Sequence, residues 1–122
     1  MKKISEYSTH LPHTIGRQTE IKKAKEMMHE HNCHHLPVLE GGKLVGVISS
    51  TDLANLTSDK VIIDEIMTDE PLIVDSDASV KEVVEAMLKN SYGSAIVSAK
   101  GESTWAIFTS IDAMKLLHEV LP

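Results

Sequence analysis

Cysteine, arginine and long apolar stretches are scarce in this sequence. Cys33 is the only cysteine among 122 residues. No internal disulfide can form, and such usage fits a reducing compartment, so the cytoplasm is the expected location. Arg17 is the only arginine, and the formal charge is −6. So acidic a chain offers no basic face for nucleic acid and little attraction to an anionic membrane surface. No apolar run approaches the roughly 18 residues that span a bilayer. Met1-Lys2-Lys3-Ile4 begins as a signal peptide does, but Ser5-Glu6-Tyr7-Ser8 breaks the apolar region that must follow. No segment is of low complexity.

What is present is a duplication. Val45-Gly46-Val47-Ile48-Ser49-Ser50-Thr51-Asp52-Leu53 returns as Trp105-Ala106-Ile107-Phe108-Thr109-Ser110-Ile111-Asp112-Ala113. Each copy is an apolar run ending in a hydroxyl residue, with an Asp three positions on. Upstream, Ile21, Ala24 and Met28 lie at helical spacing before His35-Leu36-Pro37-Val38. Val80, Val83 and Met87 do the same before Ser94-Ala95-Ile96-Val97. Two copies at a period of about 60 residues are too few and too long for a solenoid. A lone half of that size buries too little apolar surface to be more than marginally stable. The copies are therefore expected to share a core, with boundaries at residues 1–60, including the N-terminal segment, and 61–122.

The local pattern gives each copy the order strand, helix, strand, strand, helix, which is an α/β (α+β) fold class. A short strand is expected at His13-Thr14-Ile15. Thr19 can cap a helix to about His31. Leu36–Leu39 and Leu44–Ile48 read as a hairpin, with Gly41-Gly42 supplying the positive φ angles of its turn. Ser49 or Ser50 can cap a short helix to about Leu56. Asp64–Thr68 reads as a helical turn and Pro71–Val74 as a strand. Ser79-Val80-Lys81-Glu82 is a capping box that starts the next helix. Ser94–Val97 and Thr104–Phe108 form a second hairpin around Lys100-Gly101, and a last helix runs from about Ser110 to Val120. Its residues Ile111, Met114, Leu117 and Leu121 are expected to point inward. Met27, Met28, Met87 and Met114 read as core and dimer packing.

The repeated hydroxyl and Asp carry the chemistry. A hydroxyl at a strand end lies beside the free N–H groups of the following helix, a ready anion site. An Asp in the first turn is stabilised as the anion by the helix dipole. Its carboxylate can accept both hydroxyls of a ribose. The same residues are also ordinary helix caps, so either copy alone is ambiguous.

With His34-His35-Leu36-Pro37-Val38, the run Gly42–Leu53, Asp64-Glu65-Ile66-Met67-Thr68, Val74–Ser79 and Thr109-Ser110-Ile111-Asp112, the chain resembles a tandem pair of CBS domains, the module named after cystathionine β-synthase. The resemblance covers about residues 10–57 and 66–120. It implies two β-α-β-β-α units related by a pseudo-two-fold, two clefts, and a homodimer formed through helices. It also implies a non-catalytic regulatory module that binds AMP, ADP, ATP or S-adenosylmethionine and signals to an unidentified effector protein. Carried over, Asp52 and Asp112 would hold ribose hydroxyls, and Ser49 and Thr109 would touch phosphate or ribose. Thr14, Ile15, His35, Leu36 and Pro37 would line one adenine slot, and Ile73, Ser94, Ala95 and Ile96 the other.

Two departures bear on the ligand. Ala106 stands where the first copy has Gly46, which is expected to hinder close backbone approach in the second. The positions between hydroxyl and Asp are Ser50-Thr51 and Ser110-Ile111, with no basic residue, so polyphosphates are disfavoured against AMP, adenosine or S-adenosylmethionine. A ligand-free interaction scaffold is the alternative. A metal-responsive module is another, using His29, His31, Cys33, His34 and His35, whose types suit zinc or copper but whose spacing matches no standard zinc motif. No metal site is assigned. His35 facing a cleft would make binding depend on pH. Cys33 has no convincing partner for nucleophilic catalysis, and no catalytic residue is assigned.

Overall fold

The computed structural model describes residues 2–99 and 105–122. The expected turn at Lys100-Gly101 and the strand start at Thr104 lie outside them. The chain divides into two compact units. The first repeat is His13–Glu70, and the second is Pro71–Pro122 together with the residues up to Pro12.

In the first repeat, β2 (Ile15–Gly16), α1 (Ile21–His31), β3 (His35–Glu40), β4 (Lys43–Ser49) and α2 (Ser50–Leu53) follow in order, after β1 (Thr9–His10) of the other unit. The sheet order is β2-β3-β4, β2 running parallel to β3 and β3 antiparallel to β4. Gly41 and Gly42, at φ 56° and 80°, make the tight hairpin turn, which a side chain at those angles would strain. The second repeat has β5 (Ile73–Asp75), α3 (Val80–Asn90), β6 (Ser94–Ser98), β7 (Trp105–Thr109) and α4 (Ser110–Val120). Its sheet order is β1-β7-β6-β5. Both repeats therefore show the expected strand-helix-strand-strand-helix order.

Each repeat has its own core between sheet and helices. In the first, Ile21, Ala24 and Met28 of α1 pack with Leu36, Val38 and Ile48. In the second, Val83 and Met87 of α3 pack with Ala95, Val97, Ala106 and Phe108. Helices α1 and α3 each end in a left-handed residue that is not glycine, Asn32 at φ 50° and Ser91 at φ 57°. The next N–H returns to the helix each time, Cys33 to the Met28 carbonyl and Tyr92 to the Met87 carbonyl.

The N-terminal segment belongs to the second repeat and not, as expected from the sequence, to the first. Thr9 and His10 pair antiparallel with Ile107 and Ala106, and Ile4 is fully buried in that core. The segment 61–68 does the same for the first repeat. Ile63 is buried in the first core, and Thr68 bridges Val47. The bonds correspond one for one. Ile4 N–H donates to the Ala78 carbonyl as Ile63 N–H does to Thr19. Ser5 N–H donates to Ser76 as Asp64 N–H does to Arg17, and Val80 N–H to Lys2 as Ile21 N–H to Val61. Each repeat thus includes the lead-in segment that precedes the other repeat in sequence.

Three local expectations change. Thr19 does not cap α1: the N-cap is Glu20, one residue later and the counterpart of Ser79, and its side chain makes no cap bond. The Ser79 box is half formed, with Ser79 Oγ accepting Glu82 N–H at 3.1 Å. The apolar stripe of α4 points outward. Ile111, Met114, Leu117 and Leu121 are all exposed, Met114 by 64%, and no residue of the helix is buried.

Candidate functional site

In each repeat the two hairpin strands place the candidate residues at one end of the sheet. His35 pairs with Ser49 across β3 and β4, and Ser94 with Thr109 across β6 and β7. The next helix starts there, with Ser50 N–H held by the His34 carbonyl and Ser110 N–H by Gly93. A strand end, a helix start and a loop therefore meet at the same point in both copies.

Both helix starts are capping boxes. Ser49 Oγ accepts Asp52 N–H at 3.2 Å, and Asp52 Oδ2 accepts Ser49 N–H at 2.9 Å. Thr109 Oγ1 accepts Asp112 N–H at 3.4 Å, and Asp112 Oδ2 accepts Thr109 N–H at 2.9 Å. The Thr109 hydroxyl also donates to Asp112 Oδ2 at 3.2 Å. Sequence reading identified the hydroxyls as caps but not the reciprocal bond from the Asp, because the usual partner at that position is Glu or Gln. In both boxes only Oδ2 is engaged by described residues; Oδ1 takes no hydrogen bond from them. The carboxylates are half-buried and lie in the first turn, where four backbone N–H groups have no helical partner.

The remaining candidates divide between the two faces of each sheet. Ile15, Leu36 and Ala95 are members of the helix-side cores, so they can offer a ligand only backbone groups. By strand alternation His35 and Pro37 in one repeat, and Ser94 and Ile96 in the other, lie on the opposite face. Ser94 and Ile96 are buried at 8% and 1% exposure. Ile73, at the head of β5, pairs with Ile96 and is 60% exposed. Thr14 occupies the corresponding place just before Ile15.

Gly46 serves packing. A Cβ there would lie 2.6 Å from the Thr68 carbonyl oxygen and 2.8 Å from Met67 Sδ. Its counterpart Ala106 faces a lead-in segment that has Ser8 in the place of Met67, so a methyl and a small neighbour replace a hydrogen and a large one. The expected hindrance to ligand approach does not follow from this contact.

The histidine-rich stretch is dispersed. His31, ending α1, stacks on His13 with ring centroids 3.7 Å apart, and His35 begins β3. Among the described residues no three of His, Cys, Asp and Glu group as a metal site. Burial pushes the Cys33 thiol pKa up, against smaller lowering effects from backbone hydrogen bonds. Arg17 lies at the far end of the first sheet. Its guanidinium holds Asp64 Oδ1 at 2.6 and 2.8 Å and Glu40 at 2.7 Å. Among the described residues no helix is long and apolar enough to cross a membrane.

Comparison with known proteins adds relatives to this geometry. The family model described as CBS domain matches residues 4–59 and 63–119. An L-aspartate semialdehyde sulfurtransferase of Methanocaldococcus jannaschii is 35% identical over 107 residues, 86% of this chain and 21% of that protein. An inosine-5'-monophosphate dehydrogenase of Korarchaeum cryptofilum is 28% identical over 73% of this chain and 19% of its own length. The chain thus spans about a fifth of these two curated relatives. Among solved structures, the CBS domain pair of protein MJ0100 in complex with 5'-methylthioadenosine and S-adenosyl-L-methionine superposes with a TM-score of 0.88 at 30% identity, covering 98% of both chains. CBSX2 in complex with AMP has the same fold, with a TM-score of 0.82 at 21% identity and 98% coverage of both chains.

Proposed function

The chain belongs to the CBS domain family, and from that premise we propose that it is a regulatory module that binds an adenosyl ligand and signals to a separate protein. The observation that carries this reading is the duplicated helix start with an uncommitted carboxylate oxygen. Oδ2 of Asp52 and of Asp112 is spent on the backbone, which fixes the side chain and leaves Oδ1 without a hydrogen bond from the described residues. A fixed anion of this kind forms charge-assisted hydrogen bonds to the two hydroxyls of a ribose. Ser49 and Thr109 stand beside it for ribose or phosphate. Thr14, His35 and Pro37 would wall one adenine slot, and Ile73, Ser94 and Ile96 the other. Ile15, Leu36 and Ala95 would offer main-chain groups to the edge of the base. The MJ0100 pair supports the ligand class, being 30% identical over nearly its whole length and holding two adenosyl compounds.

Charge narrows the choice to S-adenosylmethionine or an AMP-like nucleotide. ADP and ATP present more phosphate than the helix starts can balance, since Ser50-Thr51 and Ser110-Ile111 bring no cation. The one guanidinium is already held by Asp64 and Glu40. No cofactor is required and no reaction is assigned to the chain. The ligand would act by favouring one arrangement of the module only through its difference in affinity between states.

The same reading makes the protein a homodimer. Ile111, Met114, Leu117 and Val120 form an apolar stripe on α4 that is exposed among the described residues. Beside it runs a groove of about 840 Å3 lined by Val80, Val84, Met114 and Leu117. The lone thiol fits a cytoplasmic setting. Titration calorimetry of tag-free protein with S-adenosylmethionine, AMP and ATP tests the ligand. Saturable binding of either of the first two, with ATP weaker, is expected. No binding to any of them, with a cooperative melt, would favour the ligand-free scaffold.

A further inference from the structure

The duplication makes one repeat a control for the other, and at one place they differ in a consequential way. In the first repeat, the end of the sheet near the hairpin turn is filled. Met67 lies against Gly46, and the Arg17 guanidinium occupies the space between Asp64 and Glu40. The matching backbone bonds identify the counterparts in the second repeat. Ser8 replaces Met67, Ser76 replaces Arg17, Ser5 replaces Asp64 and Ala99 replaces Glu40. Four large or charged groups become small ones, while Gly46 gains only a methyl as Ala106 and Val45 becomes the larger Trp105. The result is a cavity of about 350 Å3 lined by Ser5, His10, Leu11, Ser76, Val97, Ala99, Trp105 and Ala106.

We infer that this cavity is a binding site for an uncharged, flat heteroaromatic molecule. It lies at the strand end opposite Thr109 and Asp112, four residues of β7 or about 13 Å away, so it is separate from the adenosyl site. Among the described residues no Asp, Glu, Lys or Arg lines it, so it lacks the cation that the first repeat keeps there and favours an uncharged ligand. Its volume is at the low end for small-molecule pockets, about 300–1,000 Å3, which suits one ring system better than a whole nucleotide. The Trp105 indole supplies an aromatic wall for stacking. The Ser5 and Ser76 hydroxyls give the edge of a heterocycle its hydrogen-bond partners. His10 is anchored by Nε2 to the Ser5 carbonyl at 2.9 Å. Leu11 stands at the mouth with φ 51° and 83% exposure, an apolar side chain held in solvent by an uncommon backbone angle, and a seated ring would cover it.

Trp105 is the only tryptophan of the chain, so its indole N–H resonance reports on this cavity alone. The full-length 15N-labelled chain would be titrated with benzimidazole as the probe. The indole resonance and the amides of Ser5 and Ser76 are expected to shift saturably. Two variants refill the space as the first repeat does: Ser8→Met alone, and Ser8→Met with Ser76→Arg and Ser5→Asp. In either one that retains a cooperative melt, benzimidazole affinity should fall at least about tenfold, with S-adenosylmethionine affinity unchanged. No saturable shift at Trp105, shifts centred on Ser94 and Thr109 instead, or equal affinity in a refilled variant would overturn the assignment.

Discussion

Replacing Gly46 by Ala puts a methyl carbon 2.6 Å from the Thr68 carbonyl oxygen and 2.8 Å from Met67 Sδ. Ordinary contacts are at least about 3.5 Å, so backbone or Met67 must move by most of an ångström. The Thr68 carbonyl is not free to do so, because it accepts Val47 N–H at 3.0 Å while Thr68 N–H donates to the Val47 carbonyl at 2.9 Å. Overpacking of this kind costs about 1–3 kcal/mol. For a chain of this size that lowers Tm by about 4 °C per kcal/mol, readable in a thermal or urea melt. The second repeat points to the remedy, since it has Ala106 in the place of Gly46 together with Ser8 in the place of Met67. Gly46→Ala with Met67→Ser rebuilds that pair. Met67→Ser alone removes a partly buried side chain from the first core and should cost about 2 kcal/mol. The double variant should be less destabilised than the sum of the singles by about 1 kcal/mol or more. Gly46→Ala melting within a degree of the parent, or strictly additive singles, would refute the packing explanation.

Other outcomes follow from the same geometry. Asp52→Ala and Asp112→Ala should each cost about 1 kcal/mol by removing a capping bond, seen as a lower urea midpoint. Asn at either position keeps an acceptor for the backbone N–H, and should leave the melt unchanged while weakening adenosyl binding about tenfold or more by calorimetry. Leu117→Lys, on the exposed face of α4, should convert the dimer to monomer in sedimentation at micromolar concentration; a parent that is monomeric there would end the dimer proposal. Burial holds the folded Cys33 pKa above its unfolded value, so the folded state retains the proton longer. That contribution to stability is complete below the ordinary thiol range and is lost as pH rises through the folded pKa. Labelling with a thiol reagent should accordingly be slower in native than in urea-unfolded protein.

Local chemistry was the legible part of this sequence. Gly41-Gly42 declares its turn because few residues accept two successive positive φ angles. Ser79 declares its helix, and the paired hydroxyl and Asp declare two helix starts. What stayed hidden was long-range pairing. Nothing near Thr9 or His10 says that they complete a sheet whose other strand lies almost a hundred residues away. Arg17 and Asp64 are 47 residues apart, so their ion pair has no periodic signature. The stripe on α4 shows which face is apolar without saying what covers it, which is why Ile111, Met114 and Leu117 were misplaced inward. At the candidate site the residue types were legible, but the division of Leu36 and Pro37, or Ala95 and Ile96, between opposite faces needed the strand register. The cavity beside Trp105 has no sequence signature, because its walls come from the N-terminal segment, the stretch before α3 and the β6–β7 hairpin.

The most direct test of the adenosyl reading is a thermal shift with S-adenosylmethionine on tag-free protein, run in parallel on the parent and on the Asp52→Asn/Asp112→Asn variant. At about 100 times its dissociation constant the ligand should add roughly 2.7 kcal/mol, a rise of about 10 °C. The variant should melt where the unliganded parent does and show little or no rise. A parent that does not shift, or a variant that shifts as far as the parent, would contradict the assignment of these two carboxylates to a ribose.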